Sequence, residues 1–314
     1  MKQLPIFIII LLSCINSSFA QFNPIKKFDY TLLEGRTLWV PKFDLSDKAM
    51  KRLIKKDKLK EYERLSRSAT ELTNLWSNAM KNSSYDATDY IIKKFEPKEF
   101  LKEKPKDALA LMFMEQRKDG QVLNISAQIW SAYPKKRPIA STVINDLDIT
   151  DENDLILIIN MLNNSLEGAL AMEESGDKSV KAMKNKYKSN FVKVYETLPK
   201  KTFLVPEYED EKKADKKNED LKEAIQGWSL CDIKMVSEAE INQKRKENST
   251  DYIYWKNIPY YTGTPIVYNI NMIISTESDV ILFVFMGKKK LKASNLEEAQ
   301  KKMQKSYDKF KKDM

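Results

Sequence analysis

The chain has 314 residues, 42% hydrophobic and 32% charged, with 54 Lys and Arg against 45 Asp and Glu and a formal charge of +9. It contains no His, which excludes Ser–His–Asp and Cys–His nucleophile pairs and the usual zinc sites. Neither Gly-x-Gly-x-x-Gly nor Gly-x-x-x-x-Gly-Lys occurs, so no phosphate-cradling loop is expected and no cofactor is assigned.

Residues 1–20 read as a cleavable signal peptide. Lys2 precedes an apolar stretch over residues 4–12, and Ser18, Phe19 and Ala20 form a small-x-small cleavage site. The apolar run is too short to span a bilayer, which takes about 20 such residues. A rival signal overlaps it. Leu11, Leu12, Ser13 and Cys14 resemble a bacterial lipobox, in which Cys14 would be lipidated and become the new N-terminus. Cleavage after Ala20 is the cleaner reading. It leaves Cys231 as the one remaining Cys, so no intrachain disulfide can form. An exported chain without disulfides fits a bacterial envelope, periplasmic or secreted, with membrane attachment only through Cys14.

An internal repeat divides the rest into residues 21–172, a partly helical linker over 173–200, and residues 201–314. The first repeat opens with Thr37, Leu38, Trp39, Val40 and Pro41, matched by Thr202, Phe203, Leu204, Val205 and Pro206. A long helix is expected over about residues 46–75. Trp76-Ser77 matches Trp228-Ser229, and on that pairing residues 78–84 fall where the second repeat has an apolar strand. Ala87 and Ala239 follow eleven residues after each Trp. Thr88-Asp-Tyr-Ile91 is identical to Thr250-Asp-Tyr-Ile253, but the distance to the next block disagrees, so Asp107 is paired with Asp251 instead. Val122-Leu-Asn-Ile125 then matches Val267-Tyr-Asn-Ile270. Pro138 in the last strand position favours an edge or broken strand. The repeat closes with a helix after Thr150 carrying Leu155, Ile158, Leu162, Leu166 and Leu170 at helical spacing. The acids Asp146, Asp148, Asp151, Glu152 and Asp154 could ligate Ca²⁺, but they lack EF-hand spacing. They are read as acids that favour the positive end of the helix dipole, and no metal is assigned.

In the second repeat, strands are expected over residues 202–205, 232–236, 251–258, 267–274 and 280–286. A helix with Leu221, Ala224 and Ile225 on one face precedes Trp228. Ser237 is placed as the N-cap of a short helix to Lys246, and Ser294-x-x-Glu297 as a capping box for the last helix. The fold class is therefore α/β: two similar domains, each a mixed sheet layered with helices, in the order β-α-β-α-β-β-β-α.

That order, with the run from Ile233 through Ser237 to Ile241, the Thr250-Asp-Tyr-Ile-Tyr254 strand start and the strand over 267–274, resembles a known periplasmic family. It is the α/β domain shared by the TolB amino-terminal region, the curli-secretion lipoprotein CsgG and the penicillin-binding-protein activator LpoB. The resemblance implies tandem non-enzymatic domains that dock onto envelope proteins. No binding residue of that family has a match here.

Cys231 reads as a small buried residue. The aromatic group Tyr252, Tyr254, Trp255, Tyr260 and Tyr261 is the most ligand-like feature. Tyr254, Trp255, Tyr260 and Tyr261 form a candidate surface for partner or glycan, with Tyr260 and Tyr261 the better exposed and Tyr252 and Tyr254 at least partly core. Three functions follow: an envelope adaptor that binds proteins, a carbohydrate- or peptide-binding module around Tyr260 and Tyr261, and a carboxylate-dependent hydrolase. The adaptor is preferred, with envelope proteins or cell-wall polymer as partners. The basic segments over 48–60 and 178–193 lack interleaved aromatics, so no nucleic-acid binding is expected.

Overall fold

The computed structural model describes residues 33, 35–42, 59–119, 121–134, 136–174, 180–209, 214–261, 267–287 and 293–313. Residues 1–20, including Cys14, lie outside them, as do residues 43–58 of the expected opening helix.

The first half runs β1 (Thr37–Pro41), α1 (Leu59–Asn82), β2 (Asp89–Lys93), α2 (Pro97–Glu103), β3 (Ala108–Lys118), β4 (Gln121–Ser131), β5 (Arg137–Val143) and α3 (Glu152–Glu174). After α4 (Val180–Thr197) the second half runs β6 (Thr202–Pro206), α5 (Ala214–Gln226), β7 (Asp232–Val236), α6 (Glu238–Lys246), β8 (Tyr252–Tyr261), β9 (Val267–Ser275), β10 (Ile281–Gly287) and α7 (Ala293–Lys312). Each half holds one five-stranded mixed sheet, ordered β2-β1-β3-β4-β5 and β10-β9-β8-β6-β7. Strands joined through helices pair in parallel, and those joined by short connections pair antiparallel.

The repeat holds at the level of individual hydrogen bonds. Thr37 is in register with Asp89 and Ala108, as Thr202 is with Asp232 and Tyr252. The Thr37 N–H donates to the Asp107 carbonyl, and the Thr202 N–H to that of Asp251. Asp107 and Asp251 are therefore equivalent, and the identical segments at Thr88 and Thr250 begin strands in different sheet positions. The pairing of Trp76 with Trp228 does not hold. Trp76 lies inside α1 and packs edge-on against Phe113, whereas Trp228 follows the end of α5 and packs on Phe203. Because α1 is 24 residues long against 13 for α5, it runs through the segment where the Trp alignment put a strand. The strand comes later, at Asp89–Lys93, and Ala87 precedes it while Ala239 lies inside α6.

Local signals account for several boundaries. Ser237 caps α6, its Oγ accepting from the Glu240 N–H, with acids in the first turn and Lys244, Arg245 and Lys246 in the last. Pro138 lies in β5, an edge strand, where the β4–β5 register shifts beside it. The side chain of Ser294 lies outside the described residues, as does that of Leu170.

Packing fixes how the halves combine. One face of the first sheet (Leu38, Val40, Leu109, Leu111, Ala127, Ile129) is covered by α1 and α3. Its other face packs Trp39, Ala110 and Met112 against Phe100 of α2. The second sheet buries Phe203, Val205, Ile253, Trp255 and Phe283 under α4, α5 and α7. Its opposite face, with Leu204, Tyr254, Met272 and Ile274, is covered by α6 and by Leu157 and Met161 of α3. Helix α3 thus serves two cores. Leu155, Ile158, Leu162 and Leu166 face its own sheet, and Leu157 and Met161, one turn apart, face the other. Among the described residues no helix is long and apolar enough to cross a membrane.

Leu157 is 0% exposed, and truncating a buried Leu costs about 2–5 kcal/mol. Leu157→Ala is expected to lower the free energy of unfolding by that amount in urea denaturation. A midpoint and slope unchanged from the parent chain would show that the contact across the halves is not formed.

Candidate functional site

The two halves meet at polar as well as apolar contacts, and the polar ones carry the candidate site. At the end of α6, Arg245 reaches into the seam with its side chain 7% exposed, opposite Asp279 at 2%. The pair is bidentate: Nε and Nη2 donate to the two Asp279 carboxylate oxygens at 2.7 Å each. Tyr254 Oη also donates to Oδ1 at 2.7 Å, and Asn160 Nδ2 to Oδ2 at 3.0 Å. Arg245 further donates to the Asn153 carbonyl and to Asn242 Oδ1. Asn153 and Asn160 belong to α3, so the first half holds a buried ion pair whose charged members both come from the second. Desolvation pulls the Arg245 pKa down, but the Asp279 charge and the bonds to it more than offset this and raise it.

Asparagines of α3 extend the junction. Asn160 Oδ1 accepts from the Ser84 N–H and Oγ, and Asn164 Nδ2 donates to the carbonyls of Ser278 and Asp279. Above the ion pair lies a cleft of about 450 Å³, walled by the end of α1, the first turns of α3, the end of α6 and the β9–β10 turn. Asn248, Ser278 and Asp279 at its rim all have positive φ, between 49° and 54°. Left-handed backbone is disfavoured for non-Gly residues, least for Asn and Asp and more for Ser. Three of the six such residues described line this one cleft, a concentration typical of functional sites.

A second seam joins the sheets. Strand β8 pairs with β6 only over Tyr252–Tyr254, leaving the far end of that edge open. There Asn124 of β4 behaves like a neighbouring strand: its Nδ2 donates to the Tyr261 carbonyl at 2.8 Å and its Oδ1 accepts from the Tyr261 N–H at 2.9 Å. Asn145 Nδ2 donates to the carbonyl of Pro259 and to Asn124 Oδ1.

This architecture redistributes the aromatic candidates. Tyr254 is 2% exposed and Trp255 1%, because β8 is central and both of its faces are covered. Neither belongs to a surface. Tyr260 is half-buried and Tyr261 is 36% exposed, at the hairpin end locked by Asn124. The acids before α3 are engaged locally. Asp151 Oδ1 caps the helix by accepting from the N–H groups of Asn153 and Asp154, Asp148 Oδ1 accepts from Thr150, and Asp154 Oδ2 accepts from the Asp148 N–H. Among the described residues no group of three or more His, Cys, Asp or Glu is placed to hold a metal ion. Cys231 is half-buried, its Sγ accepts from Trp228 Nε1 at 3.4 Å, and burial raises its pKa.

Sequence reasoning missed Arg245, Asp279, Asn124 and Asn145. Arg245 reads as an ordinary last-turn cation and Asp279 as a turn residue. One signal was present. Asn160, Asn163, Asn164 and Ser165 interrupt the apolar run of α3, as a helix meeting polar partners on a second side requires. Compared with known proteins, the chain matches no family model, no curated protein and no solved structure.

Two outcomes test the site. Arg245→Met leaves the Asp279 carboxylate buried without its cation and is expected to cost about 3–5 kcal/mol in chemical denaturation; a loss below about 1 kcal/mol would contradict a buried pair. Burial raises the pKa of Tyr254, and likewise that of Tyr85. The unfolded chain releases these protons near pH 10 while the folded chain retains them, so stability falls as pH rises above about 10. In a phenolate absorbance titration both should ionise only with loss of folded circular dichroism. A titration complete before any unfolding would contradict their burial.

Proposed function

We propose that the chain is an exported, non-enzymatic binding or adaptor protein of a bacterial envelope, which docks onto partner proteins through the adjoining hairpin ends of its halves. The observation that carries this reading is where the apolar surface lies. Seven large apolar side chains are exposed among the described residues, and five of them (Met114, Val122, Ile125, Tyr261 and Val267) belong to the β3–β4 and β8–β9 pairs, with Val122, Tyr261 and Val267 at the hairpin ends. Tyr261 is in register with Val267, and Asn124, between Val122 and Ile125, bonds the Tyr261 backbone. Val122, Tyr261 and Val267 thus lie at adjoining hairpin ends, and exposed apolar side chains brought together mark protein interaction sites.

A rigid mount favours docking, since a surface held in place by buried hydrogen bonds loses little freedom on binding. The engagement of Asp148, Asp151, Asp154 and Asp279 in the scaffold supports binding over carboxylate catalysis. Export rests on residues 1–20, and docking onto envelope proteins is also what the resemblance to the TolB, CsgG and LpoB domain implies. A glycan platform of stacked aromatics is less well supported, because two of its four candidate rings, Tyr254 and Trp255, are buried and only Tyr260 and Tyr261 are left to it.

In-cell crosslinking of the full chain is expected to recover envelope proteins. Val122→Asp with Val267→Asp should reduce recovery about tenfold or more, while Ile91→Asp, exposed on edge strand β2, should not. Recovery that is nil for the parent chain, or insensitive to the double substitution, would sink the proposal. The mature N-terminus is expected at Gln21; a lipid-modified Cys14 found by mass spectrometry would make the protein membrane-tethered instead.

A further inference from the structure

The cleft between the halves is separate from the hairpin ends, and its chemistry is different. We propose that it is a binding site for a small, neutral, polyhydroxylated ligand, a mono- or disaccharide. The volume of about 450 Å³ falls within the range of small-molecule sites, roughly 300–1,000 Å³. The position fits as well, since such sites form preferentially where two structural units meet.

The lining selects the class. Amides and hydroxyls dominate it, supplied by Asn82, Ser83, Asn153, Asn242, Asn248 and Thr276. An amide side chain presents both donors and acceptors, and a sugar hydroxyl is likewise both, so the two can satisfy one another in pairs. The charges of the buried pair cancel, because Asp279 and Arg245 neutralise each other through two short bonds. At the rim Glu152 accepts from Asn82 and opposes the single charge of Lys246. The four charges that line the cleft therefore sum to zero, which gives a phosphorylated or carboxylated ligand no excess of cations to bind. A peptide would need pockets for side chains, and Ile156 is the one apolar residue lining the cleft.

The rim is also preorganised. The left-handed backbone at Asn248, Ser278 and Asp279 is held by the Asn248 Oδ1 bond from the Ser278 N–H and by the two bonds from Asn164. A rim fixed before binding reduces the ordering cost of taking up a ligand that bonds weakly at each hydroxyl.

Isothermal titration of the full chain with glucose, galactose, N-acetylglucosamine, cellobiose and chitobiose tests the inference. At least one is expected to bind with a micromolar to millimolar Kd. Asn153→Trp fills the cleft while keeping the backbone carbonyl that accepts from Arg245, and should weaken that sugar about tenfold or more. Thermal melting of the variant within a few degrees of the parent shows that it folds; if it melts lower, Asn153→Gln and Asn248→Asp serve as the test pair, with the same loss expected. Lys246→Ala should change sugar affinity by no more than about twofold. Absence of binding by all five sugars, binding unaffected by the cleft substitutions, or a cleft that takes up a pool of tripeptides in preference to sugars would overturn the proposal. So would a tenfold loss in Lys246→Ala, which would make that cation, and not the amides and hydroxyls, the group that recognises the ligand. Partner crosslinking should survive Asn153→Trp, and sugar binding should survive Val122→Asp with Val267→Asp, so the two readings can fail separately.

Discussion

Helix α3 packs against both sheets at once, and the rest of the structure depends on that double contact. A helix that closes one sheet ordinarily buries one stripe and leaves the opposite face to water. In α3, Leu155, Ile158 and Leu162 occupy the first stripe, while Leu157 and Met161 complete the core beneath the second sheet. Without them Leu204, Tyr254, Met272 and Ile274 would keep only the cover that α6 provides. The second half therefore does not carry a complete core of its own on that face, although its strands and helices repeat those of the first.

Apolar burial draws the halves together but does not set their register, because it has no direction. The asparagines and the Arg245–Asp279 pair do. Asn124 can meet both the N–H and carbonyl of Tyr261 in only one orientation, and Asn160 spans Ser84 on one side and Asp279 on the other. A buried pair of this kind returns little net stability against a well-packed apolar alternative, and its retention is best explained by the geometry it enforces. The same rigid geometry holds the hairpin ends side by side and shapes the polar cleft at the opposite part of the seam.

Much of this was legible in the sequence where a signal is local. The duplication could be followed through Pro41 and Pro206 and through Asp107 and Asp251, because strand ends and spacing between strands are written in neighbouring residues. Ser237 announced its cap by type and position. The Trp76–Trp228 match misled because a shared residue type in segments of different length carries no register, and an α1 longer than α5 displaced the strand. The candidate aromatic group is divided by the fold, with Tyr254 and Trp255 buried and Tyr261 exposed. Strand alternation places Tyr254 and Trp255 on opposite faces, but whether both faces are covered depends on the order of strands in the sheet and on a helix from the other half. Arg245 and Asp279 are 34 residues apart in ordinary surface contexts, and only the tertiary fold brings them together.

The functional reading inherits this dependence, since a docking surface shared by two hairpins exists only if the halves move as one body. Native-state hydrogen exchange on the full chain tests that claim most directly. The slowest amides of α3, β3 and β8 are expected to share one opening free energy, equal to that of global unfolding. Exchange of α3 through a lower-energy opening, while β8 and β9 keep their protection, would contradict it.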